Sequence, residues 1–117
     1  MAPEEDRKQV GLTEEGRKTI ALVADDLRWF TEGQHAARFA LAYAIREDVP
    51  AGVTEGVKTG YGVDGFDDTG EIRALLAAIY PDVTMPVRLM EHLIDEGLRL
   101  IAVRIAAGER NPTAFLG

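Results

Sequence analysis

Cysteine is absent from the 117 residues, which excludes disulfides, thiolate zinc sites and cysteine nucleophiles. Aromatic residues are scarce at 7%, so a core must be built mainly from Leu, Ile, Val and Ala. No apolar run is long enough to cross a membrane, because charges interrupt every helical pattern within a few residues. Met1 to Lys8 is polar and offers nothing suited to a signal peptide. A cytoplasmic, membrane-free protein is the expectation. Basic residues are also outnumbered: 13 Lys and Arg face 20 Asp and Glu, a net charge of −7 that repels the phosphates of nucleic acid.

That acidity is unevenly placed. Between Glu47 and Glu71 seven acids face the single Lys58, which leaves a net charge of only −1 for everything else. Two near-neutral helical regions therefore flank one acidic connection, and neither forms a basic patch strong enough to announce DNA by itself.

The strongest positive signal lies in Pro86 to Ala107. Val87, Met90, Ile94, Leu98, Ile101 and Ile105 recur at three- and four-residue steps, and Leu89, Leu93, Leu100 and Val103 widen that face. A narrow line through Arg88, Glu91, His92, Asp95 and Arg99 stays polar. Such a helix belongs at the centre of a bundle or in a subunit interface.

Upstream, Leu12-Thr13-Glu14-Glu15 reads as a helix start capped by Thr13, with Ile20, Val23, Ala24, Leu27 and Phe30 on one side of the helix that follows. Thr31 and Gln34 have capping-box spacing before a second helix to about Arg46. Its Ala36, Ala40 and Ala44 form a smooth ridge that permits close helix approach. From Asp48 to Asp68 the pattern dissolves into glycines and acids, a long loop. Asp68 to Glu71 restarts helix, and Ile72, Leu75, Leu76 and Ile79 give this third helix its apolar side. Pro86 fits the first turn of the fourth, and Gly108 its C-cap.

The expectation is one all-α domain over residues 1–117: about four helices, two helical pairs joined by a long Gly-rich acidic crossover over 48–68. Residues 1–11 read as a flexible N-terminus and 109–117 as a tail, whose Phe115-Leu116 docks locally or on a partner. Strands are nearly absent from this reading, since the glycines and Glu55 of Ala51 to Val57 oppose one.

Candidate chemistry is thin. Gly60 to Gly65 matches GxGxxG, but no apolar strand precedes it and acids follow at once, so glycines for a mobile loop are the simpler reading. Asp64, Asp67, Asp68 and Glu71 lack the alternating spacing of a calcium loop, and Asp68 and Glu71 suit a cap. Glu32 to His35 has the Glu-x-x-His spacing of di-iron bundles, yet no Glu stands three residues before His92, the other histidine. No metal or cofactor is expected. Arg17, Lys18, Arg28 and Arg38 would meet phosphates if the first helix and the start of the second faced DNA. The bland alternative is solvated charge, with Glu14 and Lys18 an i,i+4 pair and Asp25 and Asp26 near Arg28. A helix-turn-helix over Leu27 to Ile45 is weaker, because its second helix is mostly alanine beyond Gln34, His35 and Arg38.

The order of several short landmarks resembles the DndE-type small helical proteins of bacterial DNA phosphorothioation systems. These are Leu12-Thr13 leading a helix, Thr31-Glu32-Gly33, then Ala37-Arg38-Phe39-Ala40-Leu41-Ala42. After the polar crossover come Asp68-Thr69-Gly70-Glu71, Ala74-Leu75-Leu76, His92 and Gly97-Leu98-Arg99-Leu100. The resemblance implies a non-catalytic, self-associating helical accessory of a DNA-modification or defence complex, acting beside larger enzymes, with affinity for duplex DNA. A homo-oligomer is also expected from the residues themselves, because the apolar breadth of the fourth helix and the alanine ridge of the second exceed what a few short helices cover; Ala36, Ala40, Ala44, Met90, Ile94, Leu98 and Ile101 are the candidates for that interface or for the core. The alternative is an acidic adaptor or regulator that binds only protein. An enzyme ranks below both, since no nucleophile–base pair, metal cluster or phosphate cradle assembles from the sequence.

Overall fold

The computed structural model describes residues 6–115. The chain runs β1 (Gln9–Leu12), α1 (Glu14–Ala21), a π-helical turn (Leu22–Asp26), α2 (Gly33–Arg46), β2 (Lys58–Gly62), α3 (Val63–Phe66), α4 (Glu71–Ile79) and α5 (Pro86–Ala106), then a 3₁₀ turn (Pro112–Phe115). The all-α expectation is corrected by the antiparallel pair β1–β2, which makes the fold mixed α/β with five α-helices among the described residues. Gln9 faces Gly62, Val10 faces Tyr61 and Leu12 faces Lys58, with the register broken between Val10 and Leu12. Both strands lie in segments read as unstructured, one in the N-terminus and one inside the acidic crossover. Gly60 permits the pairing, because a Cβ there would collide with the Val10 carbonyl oxygen.

α5 is the hub: α1, α2, α4 and β1 all pack on it. Its seam with α2 is unusually close, since a Cβ at Gly97 would run into the Ala40 carbonyl. Ala36, Ala40 and Ala44 are buried there, as are Met90, Ile94, Leu98 and Ile101. Small residues on facing helices let the backbones approach, and the larger side chains then fill the flanks.

Helix starts show which sequence signals were physical. Thr13 caps α1 as its spacing predicts, accepting from the Gly16 N–H at 2.9 Å. The N-cap of α2 is Glu32 rather than Thr31, without a side-chain cap bond. At α4 the capping carboxylate is Asp67, not Asp68: it accepts from the Ile72 and Arg73 N–H groups at 2.9 and 3.1 Å. The first turn of α5 is capped from far away by Asp6, which accepts from Val87 and Arg88 at 2.8 and 3.3 Å. Of the tail, Phe115 docks locally among Trp29, Phe39 and Tyr43, while Leu116 lies outside the described residues.

Candidate docking surface

The four basic residues that the sequence offers to DNA have separate partners and surroundings. Arg17 donates from its guanidinium to the Thr59 carbonyl, bracing α1 against β2. Arg38 donates to the Phe66 and Gly65 carbonyls at 3.1 and 3.3 Å and lies over the Phe66 ring. These two meet on the Thr59–Phe66 segment. Lys18 turns to Glu15 at 3.6 Å. Arg28 is exposed just beyond the π-helical turn, in the left-handed region at φ 56°. Three of the four cations are therefore engaged within the chain.

The line through α5 that reads as polar is largely covered. Glu91 is 2% and Asp95 4% exposed, because β1 and the start of α1 lie across them. Glu91 accepts from the Gly11 N–H at 2.7 Å and pairs with Arg7 at 2.7 Å. Burial pushes its carboxyl above the ordinary glutamate value, against the opposing pull of the Gly11 N–H, Arg7 and Arg88. Asp95 accepts from Thr13 Oγ1 at 2.6 Å and from Arg99 Nε at 2.8 Å. His92 pairs through Nδ1 with Thr54 Oγ1 at 3.0 Å, and its ring lies against Gly52, which fastens the crossover to α5. His35 faces Glu32 at 3.3 Å on the surface.

Asp67 is equally buried and behaves oppositely. Burial raises its carboxyl, but the Ile72 and Arg73 N–H groups and the Arg73 guanidinium outweigh that effect and hold it below the ordinary aspartate value. It is thus committed to orienting α4. Among the described residues no group of three or more His, Cys, Asp or Glu is placed to hold a metal ion. Gly60 and Gly62 lie within β2 rather than after it, and that largely exposed strand leads into a helix of four residues.

α4 presents the most distinctive surface. Ile72, Leu75, Leu76 and Ile79 are the apolar side that the sequence gives this helix, yet of these Leu76 alone is buried and Ile72 is half-buried. Leu75 is 49% and Ile79 42% exposed, and Ala74, Ala77 and Ala78 are exposed beside them. The helix is held firmly at both ends: Asp67 caps its start, and the Tyr80 hydroxyl just past its end donates to the Val49 carbonyl at 2.8 Å. An apolar stretch fixed outward in this way is open to contact from outside the chain. The sequence signal for it is Ala74 to Ile79, which is apolar on every side.

No protein-family model matches the chain, no curated protein matches it, and no solved structure matches it. No helix among the described residues is long and apolar enough to cross a membrane.

Proposed function

We propose that this chain is a non-catalytic cytoplasmic adaptor that seats α4 in an apolar groove of a larger protein. The observation that carries the reading is the exposure of Ala74, Leu75, Ala77, Ala78 and Ile79 on a helix fixed at both ends. Helix-in-groove recognition uses such a face, with Leu75 and Ile79 at i and i+4 as anchors. A second copy is a poorer occupant. A nine-residue helix is about 14 Å long and presents a face on the order of 140 Å². A groove also takes up the sides of such a helix, whereas a second convex helix meets only that face. The net charge of −7 adds self-repulsion.

The resemblance to DndE-type proteins supports a place beside the larger enzymes of a DNA-modification or defence complex. The engagement of Arg17, Lys18 and Arg38 within the chain favours protein contact over the direct duplex binding that the resemblance also implies. Copurification from native cells, comparing the parent with Leu75→Asp/Ile79→Asp, tests the reading. The expected result is a stoichiometric partner that the double variant loses while its circular dichroism is unchanged, and that rebinds the parent when both are purified. Equal recovery by both forms contradicts it. So does retention on duplex DNA with a steep salt dependence and no protein partner.

A further inference from the structure

Residues 6–13 cross α5 under a series of polar ties. Asp6 caps the first turn of α5, Glu91 receives the Gly11 N–H and Arg7, and Asp95, one turn on, receives Thr13 Oγ1. Between these ties Val10 and Leu12 are buried. β1 has β2 as its sheet partner, and a two-stranded sheet is marginal without further support. Glu91 is moreover a buried acid whose charged form burial disfavours.

We propose that the cleft between α5 and β2 is a strand-binding site, filled in cis by Asp6 to Leu12. When that segment swings out about Thr13, the cleft accepts an extended partner segment of the same chemistry: a cationic residue followed by two apolar residues that flank a glycine. Each feature of that pattern answers a feature of the cleft. The cation meets Glu91, as Arg7 does. The apolar side chains take the seats of Val10 and Leu12. Glycine is required between them, because a Cβ at position 11 would stand 2.7 Å from Glu91 Oε2 and 2.9 Å from the Lys58 carbonyl oxygen. The vacated edge of β2 supplies backbone donors and acceptors, the strand-addition mode of peptide recognition. The α2–α5 seam need not move.

The absence of cysteine makes a clean test available. Gln9 and Gly62 are Cα partners, both exposed, and a Cβ at Gly62 meets nothing within 4 Å. The Val63 N–H donates to the Lys8 carbonyl at 3.2 Å, so Gln9–Gly62 is a non-hydrogen-bonded pair, the closer kind and within disulfide reach. The double variant Gln9→Cys/Gly62→Cys, reduced or oxidised with oxidised glutathione, is compared with the parent by native-state hydrogen exchange. All three forms are then titrated by NMR with a synthetic peptide of residues 6–13.

In the parent and the reduced variant, the Gly11 and Leu12 amides are expected to exchange about tenfold or more faster than those of Leu93 and Ile94. The peptide should bind saturably, shifting Glu91 and Lys58 to Gly62, and oxidation should abolish both effects. Equal protection of Gly11 and Ile94 overturns the release. Release without saturable binding, or binding that survives oxidation, overturns the strand site.

Discussion

Replacing Gly97 by alanine tests the α2–α5 seam, and two opposed effects decide the outcome. Alanine is the better helix former by about 0.8–1 kcal/mol, so in an open helix the change would stabilise. Here the added Cβ points at the Ala40 carbonyl oxygen and at Ala40 Cα, which are backbone and cannot rotate aside. Relief requires α2 and α5 to separate, which loosens the packing of Ala36, Ala44, Ile94 and Leu98 as well. Overpacking of this kind costs about 1–3 kcal/mol, and a backbone obstacle puts it at the upper end. The net expectation is a loss of about 1–2 kcal/mol after the propensity gain. Urea unfolding followed by the fluorescence of Trp29, the single tryptophan, reads it as a lower midpoint at unchanged slope. Gly65→Ala is the control, since a Cβ there meets nothing within 4 Å. A Gly97→Ala protein as stable as the parent would refute the close approach.

Four further outcomes follow from the same geometry. Asp67, held below its ordinary value, contributes stability that is present above the unfolded aspartate value and lost as pH falls through the folded one; Asp67→Asn should flatten that loss in a pH series of urea midpoints. Glu91, faced by Arg7, Arg88 and the Gly11 N–H with Asp95 one turn on, has the opposite sign: its share is full below the unfolded glutamate value and is lost as pH rises through the raised folded one, a fall that Glu91→Gln should remove. Light scattering should give a monomer mass at micromolar concentration, because the α4 face is far smaller than a stable dimer needs; a constant dimer mass on dilution would contradict this. On immobilised duplex DNA at low salt the protein should show little retention, and neutralising Arg17 with Lys18 should change nothing; strong retention lost with that pair would restore DNA contact.

The helices were legible in the sequence where a local pattern carried them. The three- and four-residue steps of α5 and the small side chains at Ala36, Ala40 and Ala44 are written into neighbouring residues, and both lie in the buried seam. The sheet was not legible, because β1 has only Val10 and Leu12 around a glycine, and β2 carries Gly60 and Gly62 where strand formers are usual. What holds the pair in place comes from afar: Glu91 reaches Gly11 across 80 residues, and Arg17 reaches Thr59 across 42. For the same reason the sequence shows Glu91 and Asp95 only as part of a polar line, not that β1 and Thr13 cover them. The α4 surface failed in the other direction. Periodicity shows that Leu75 and Ile79 are apolar, but not that Leu76 is the one residue of α4 to be buried.

Hydrogen–deuterium exchange of the chain, free and bound to its purified partner, tests the adaptor reading most directly. Slowed exchange concentrated in Glu71 to Ile79, with the surface of α1 unchanged, is the predicted result. Unchanged exchange across α4, with new protection elsewhere on the molecule, would contradict it.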